Sequence, residues 1–363
     1  MVASVRDSNL RHALCFAHSL NLVVKKSLDV TPGLEDLRTR ARKVVTFFKT
    51  STTAKEKLRE VQEQMKRPVM KLIQEVDTRW NSTFLMLQRL FKERQSVGAA
   101  VAMLKTDVRP PSSEDYETTA ACLQLLAPFY QATVELSEEK RVLGSKVIPM
   151  TKMLMLYLHD TKGKIGHNTA TLLGQNLVSV MQKRFDTTEN QTALTLSTLL
   201  DPRLKTIGFY NQVQAQTSIK RLTAQCSQLM RCTPPDTLTE EQPSTSAQPA
   251  PENPSSTYLW DKLDRDASEA RRARNATADA TVEVQQYLTD PPLDRSEDPL
   301  VYGLKPHNVY PHLFQLAKQF LCTPASSVPC ERMFSKCGEV VSKKRNRINP
   351  KTVERIMYLN KNL

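Results

Sequence analysis

The stretch Leu14-Cys15-Phe16-Ala17-His18-Ser19-Leu20-Asn21-Leu22-Val23-Val24 sets the character of the chain. From His12 to Leu28 the apolar residues Ala13, Phe16/Ala17, Leu20 and Val23/Val24 recur at i and i+3/i+4, the spacing of one buried helix face. Lys25 and Lys26 then fall in the last turn, where cations suit the helix dipole. The same period returns downstream. A Thr/Ser cluster at 50–53 caps a charged helix to about Lys66, and Asn81 opens another with Phe84, Leu87 and Phe91 on one face. Further helical patterns cover about 115–138, 145–159 and 171–186, with Pro149 near an end or at a kink. Helix resumes by about Asn275 and ends near Leu288. A later one carries Leu313, Leu316, Ala317 and Phe320, and Pro350 fits the first turn of a terminal helix that turns Val353, Ile356 and Met357 inward. Val69–Val76, short, apolar and following Pro68, reads as a strand. Thr233–Thr257, rich in Pro, Ser, Thr, Glu and Gln with one Leu, buries too little to order itself and reads as a disordered loop.

Composition agrees with helix. The chain has 363 residues, 40% hydrophobic but only 6% aromatic, with 9 glycines, which suits helices over a β-sandwich and one elaborated domain or two unequal ones. The longest apolar run, Met153–Leu158, is far below the roughly 20 residues of a membrane span, and the first twenty residues lack a signal-peptide layout. Seven cysteines without a CxxC read as reduced, intracellular thiols. The expectation is a soluble intracellular protein that uses no membrane, no small-molecule substrate and no cofactor.

Charge is concentrated at the ends. Of 51 basic and 38 acidic residues, 14 and 7 lie in 1–67, 9 and 3 in 331–363, and 28 of each in between. If the ends meet they make one basic face on a neutral body, the electrostatic footprint of a nucleic-acid partner; solvated helix faces are the plainer account. The densest run, Lys343-Lys344-Arg345-Asn346-Arg347, suits phosphate contact and nuclear import equally well.

Three further stretches stand beside the first: Asp77-Thr78-Arg79-Trp80-Asn81-Ser82-Thr83-Phe84; Glu283-Val284-x-x-Tyr287-Leu288 with Glu297-Asp298-Pro299-Leu300; and Ser326-Ser327-Val328-Pro329-Cys330-Glu331-Arg332-x-Phe334-Ser335, leading to Asn346-Arg347-Ile348 and Leu359-Asn360-Lys361-Asn362-Leu363. Together the four resemble the hAT superfamily of DNA transposases, in particular the zinc-finger-BED-domain proteins domesticated from them. The resemblance covers about residues 10–95 and 280–363, and departs from the family at Cys330, where relatives carry Ser, and at Val301-Tyr302, where they carry paired tryptophans.

The resemblance implies a mainly α fold with an α/β remnant: an incomplete ribonuclease-H-like core interrupted by a large all-helical insertion. Residues 1–95 would be part of that core and the start of the insertion, 96–275 the insertion, and 276–363 the C-terminal dimerisation region completing the core. In the family, three carboxylates hold two divalent metals for strand transfer, since hard Mg²⁺ prefers oxygen ligands. Glu331 matches the third. The first two lie upstream of the Cys15-x-x-His18 helix, where this chain offers only Asp7, so a catalytically inactive remnant is expected; Glu331 alone also reads as a helix-start carboxylate.

Cys15 and His18 are good zinc ligands but form one pair where four are needed, so a structural role is expected and no metal. No BED finger pattern occurs. Arg79 and Trp80 match a pair that in active relatives lies beside the cleaved DNA end, where an arginine contacts phosphate and an indole stacks on a base; Trp80 as a core anchor is the alternative. Arg79, Trp80, Lys343, Lys344, Arg345 and Arg347 are therefore the candidate DNA contacts. Phe314, Leu316, Phe320, Phe334, Val353, Ile356 and Met357 are the candidate dimer contacts, with core packing as a second use. The leading expectation is an inactive, transposase-derived nuclear protein that self-associates and touches double-stranded DNA. Its rivals are part of an active Mg²⁺-dependent transposase and a helical scaffold that binds no nucleic acid.

Overall fold

The computed structural model describes residues 15–137, 142–161, 164–232, 262, 275–304, 309–341 and 347–362. They form two compact units: Met1–Gln191 together with Pro324–Leu363, and Thr192–Thr323. The 233–257 reading lies outside the described residues.

The first unit contains α1 (Phe16–Val30), α2 (Leu34–Thr50), α3 (Thr52–Gln64), α4 (Trp80–Lys92), α5 (Arg94–Met103), α6 (Ser113–Glu135), α7 (Val147–Thr161) and α8 (Asn168–Phe185), then α14 (Val328–Val340) and α15 (Pro350–Asn362). Between them, in the second unit, lie α9 (Thr192–Leu200), α10 (Gln212–Cys232), α11 (Ala276–Thr289), α12 (Pro299–Leu304) and α13 (Pro311–Leu321). The periodicities read from sequence correspond to helices throughout. Ser51 caps α3 through Ala54 N, Asn275 caps α11, and Pro149 sits in the first turn of α7. Because α1 continues to Val30, Lys25 and Lys26 lie inside it and not in its last turn.

Val69–Val76 is not a strand, and no strand occurs among the described residues. Val69 and Val76 are each 53% exposed. The segment runs extended because side chains from neighbouring helices occupy the backbone groups a β-partner would take. Gln62 bonds both Met70 O (3.1 Å) and Met70 N (3.3 Å), Arg89 donates to Lys71 O (2.8 Å), and Val76 N donates to Ser82 Oγ (2.8 Å). With no sheet there is no strand edge in the described residues.

That segment delivers Glu75 into the unit. Its side chain is 1% exposed and accepts from Arg38 Nη2 (3.2 Å), Arg42 Nε and Thr83 Oγ1. Burial alone would raise its pKa, but Thr83, Arg42 and Arg38 outweigh it and hold the carboxyl below its usual range. Around this clamp α2–α5 bury Leu37, Ala41, Val44, Phe48, Leu58, Met86 and Leu90, each worth roughly 1.5–3 kcal/mol for the larger side chains. The chain following it enters α4 at Trp80, which is 2% exposed and meets Phe84 edge-on at 6.2 Å; Phe84 stacks on Tyr130 at 4.8 Å.

The second unit is built on α9, in which every residue from Leu194 to Leu200 is buried. Three polar anchors hold its neighbours. Asp201, fully buried, takes Arg203 through Nε (2.9 Å) and Nη2 (2.7 Å), and Arg203 Nη1 reaches Glu297 O (3.1 Å). Lys205 donates to Tyr287 O (2.5 Å) and Asp290 O (2.6 Å) at the C-terminal end of α11, where a cation suits the dipole; its own burial lowers its pKa. Glu283 accepts from His312 N (3.0 Å) and Leu313 N (2.9 Å), covering free amides at the start of α13, and pairs with His312 Nδ1 at 2.9 Å.

Two outcomes follow. Glu75→Gln leaves two guanidinium groups beside a neutral amide and is expected to lower unfolding free energy by about 3 kcal/mol in urea titration. Because the folded pKa of Glu75 lies below the unfolded value of about 4.3, its contribution is present above that pH and is lost as pH falls through the folded pKa. The variant's deficit should therefore shrink on acidification below about pH 4. In a Trp260→Phe background, Trp80 emission should be blue-shifted and unquenched by single-stranded DNA; red-shifted, quenchable emission would mean the indole is not a core anchor.

Candidate self-association surface

Three of the four sequence stretches meet at α1. At its start, Phe16 N donates to Ala325 O at 2.9 Å, and Cys15 Sγ accepts from Ser327 N (3.3 Å) and His18 N (3.4 Å) while donating to Ser326 Oγ at 3.9 Å. Burial alone would raise the Cys15 thiol, but its hydrogen bonds with Ser327, His18 and Ser326 outweigh it and lower its pKa. One turn on, Asn21 Nδ2 donates to Thr78 O (3.3 Å) and its Oδ1 accepts from Trp80 N (3.0 Å); Lys25 Nζ reaches Asp77 O at 2.8 Å. The first stretch thus holds both the Asp77–Phe84 stretch and the start of the last one.

The third stretch works in the second unit. Glu283 caps α13, while Tyr287 donates to Leu199 O at 3.1 Å and stands edge-on to Tyr310 at 5.8 Å. Sequence reasoning missed the partners of this stretch, Asp201, Arg203 and Lys205. The signal was there: an acid and two bases crowded into Asp201-Pro202-Arg203-Leu204-Lys205 directly after an uncharged helix of Thr, Ser, Ala and Leu.

Beyond Ser327 the character changes. Helix α14 has no buried residue and α15 has one, Met357. Phe334 is 76% exposed, Tyr358 67%, Leu359 53% and Ile356 40%, with Met333 also exposed. Lys336 Nζ bonds Asn360 Oδ1 at 3.0 Å and ties the two helices together. Two helices of this length with so little core are marginal in water, and their open apolar side chains are the features that mark an association surface.

The sequence-predicted residues divide accordingly. Phe334 and Ile356 lie in the open face, so Ile356 does not turn inward as expected; Val353 is half-buried and Met357 faces in. Leu316 and Phe320 are buried in the second unit and Phe314 is half-buried there, its ring under Lys318 Nζ at 4.4 Å. Trp80 is buried and presents no face to a base, whereas Arg79 and Arg347 are exposed. Lys343, Lys344 and Arg345 lie outside the described residues. Glu331 is exposed in the first turn of α14 and accepts from Ser327 Oγ at 2.7 Å. Cys15 packs against the 325–327 turn, but His18 is exposed and contributes only its backbone amide. Among the described residues no three His, Cys, Asp or Glu side chains cluster at metal-binding distance.

Two family models match these regions: the hAT family C-terminal dimerisation region over residues 283–363 and the ZBED1 RNase-like helical domain over 13–125. The chain is 28% identical to human Zinc finger BED domain-containing protein 4 over 96% of its own length and 29% of that protein's. It is 25% identical to human Zinc finger BED domain-containing protein 6, covering all of this chain and 39% of the relative. It is likewise 25% identical to the Putative AC transposase of Zea mays, over 97% of the chain and 44% of the relative. The chain thus spans less than half the length of these relatives. It carries a hAT C-terminal dimerisation region and an RNase-like helical domain, and is a relative of the zinc finger BED domain-containing proteins and the hAT transposases.

Proposed function

We propose that this chain belongs to a transposase-derived nuclear protein without strand-transfer activity, which self-associates through α14 and α15 and contacts double-stranded DNA through its basic ends. Residues 276–363 act as the self-association region and complete a ribonuclease-H-like core, of which 1–95 are a part together with the start of a helical insertion that continues over 96–275. The observation that carries the reading is the exposure of Phe334, Ile356 and Leu359 on two helices that bury a single residue between them. A second copy offering the same face removes those side chains from water, as a two-fold interface requires.

The reading without catalysis is supported by the state of two carboxylates, Glu75 and Glu331. Glu75 is occupied by Arg38, Arg42 and Thr83, and Glu331 stands exposed at a helix start with Ser327 as its partner. Among the described residues neither belongs to a cluster of three His, Cys, Asp or Glu side chains such as a two-metal site needs. Contact with DNA is supported by charge: the basic excess lies in 1–67 and 331–363, and Arg79 and Arg347 are exposed. The match to the Putative AC transposase over 97% of the chain favours the second reading, part of an Mg²⁺-dependent transposase.

Sedimentation should find a dimer whose dissociation rises at least about tenfold in Phe334→Asp/Ile356→Asp, with the melting temperature of the rest of the chain unchanged; a monomeric parent chain would refute the interface. A fluorescent duplex should bind with an affinity that falls steeply between about 50 and 200 mM salt. Arg79→Ala should lower the salt slope by about one contact, while Trp80 variants that still fold should not. Incubation of the chain with supercoiled DNA and Mg²⁺ or Mn²⁺ should give no nicking; nicking lost in Glu331→Gln would establish the transposase reading instead.

A further inference from the structure

Helices α1 and α8 of the first unit enclose a groove of about 390 Å³ that the convergence of the sequence stretches does not use. Its floor is apolar: Leu22 and Val180, with Val30 at one end, 51% exposed. Its rim is cationic. Lys26 stands on α1, and Lys183 and Arg184 occupy the last turn of α8, all three exposed and none paired with a carboxylate among the described residues. The walls supply no acid of their own. Helix α8 contains none, and the single one of α1, Asp29, is held by Arg38 at 2.9 Å. Asn176, bonded to Thr31 Oγ1 at 2.9 Å, and Ser179 complete the lining.

The pairing of floor and rim selects the occupant. A phosphate backbone would satisfy the three cations but would set charged oxygens against Leu22, Val30 and Val180, which gain nothing from them. A helix with aliphatic side chains on one face and carboxylates beside them satisfies both at once, the mode in which an amphipathic helix lies in a groove between two others. The 15 residues of α1 span about 22 Å, so the occupant is about four turns long. We propose that the α1–α8 groove docks an acidic amphipathic helix of a partner protein, its apolar face on Leu22, Val30 and Val180 and its carboxylates on Lys26, Lys183 and Arg184.

The test uses fluorescence anisotropy of the full chain with three labelled probes: a peptide about 15 residues long with Leu on one helix face and Glu on the other, the same peptide with Lys for Glu, and a duplex DNA of similar length. Saturable binding of the Glu peptide, weak binding of the Lys peptide, and a loss of at least about tenfold in Lys26→Glu/Lys183→Glu/Arg184→Glu are expected. Val180→Asn should weaken the Glu peptide as well while leaving its salt dependence in place. All variants alter exposed or half-buried side chains, and circular dichroism should show an unchanged melt. Failure of the Glu peptide to bind, or equal binding to the triple variant, overturns the proposal. Duplex binding that depends on the three cations while the peptide does not bind also overturns it and makes the groove a nucleic-acid surface.

Discussion

The hydrogen bonds at the start of α1 are the constraint on which the arrangement depends. Cys15 and Phe16 are bonded to residues 325–327, a separation of 311 to 312 positions for the two thiol contacts. Closing a loop of that length costs on the order of 5 kcal/mol in chain entropy, more than a few hydrogen bonds worth about 1 kcal/mol each return. The closure is therefore sustained by the packing of the helices within each unit, and the thiol and backbone contacts at 15–18 set its register. The consequence is specific. The last forty residues return to the unit that contains the beginning of the chain, and α14 departs from that junction with its apolar side chains uncovered.

Both units use the same device to position irregular backbone. A buried acid takes one or two guanidinium groups, and the cations or amides around it hold main-chain groups that have no helical partner. Glu75 with Arg38 and Arg42 does this for the 69–79 segment; Asp201 with Arg203, beside Lys205, does it for the turn after α9 and the end of α11. A buried pair of this kind adds little net stability but is costly to break from one side, so it fixes where a segment lies more than how tightly the unit holds together. The third stretch has the same economy of parts: Glu283 and Tyr287, one helical turn apart, hold α13 and α9 respectively.

Much of this was legible in the residues. Apolar spacing gave α1, α4, α11 and α13 closely because each has one clear face. Helix α2 and the short α9 were not read. The first does carry Leu34, Leu37, Ala41, Val44/Val45 and Phe48 at helical spacing. The second, Thr192–Leu200, mixes hydroxyls with leucines and is buried all round from Leu194, so it shows no one-sided period. Val69–Val76 misled because apolar, β-prone residues after a proline look the same whether a strand or three helix side chains take the backbone groups. In the candidate site, the stretches themselves were visible but their use was not. Trp80 and Leu316 are apolar residues with a tertiary partner that spacing cannot reveal, whereas Phe334 differs from them only in having none among the described residues. The end-weighted charge was legible, and the bonds joining Cys15 and Phe16 to residues 325–327 required the fold.

The central claim is that α14 and α15 are completed by a second copy of the chain. Hydrogen exchange followed by mass spectrometry across a range of protein concentration tests it most directly, since helices with a single buried residue exchange fast unless something covers them. The account predicts that protection of 328–340 and 350–362 rises with concentration while that of α1 to α8 stays constant. Protection in those two helices that is independent of concentration would contradict it.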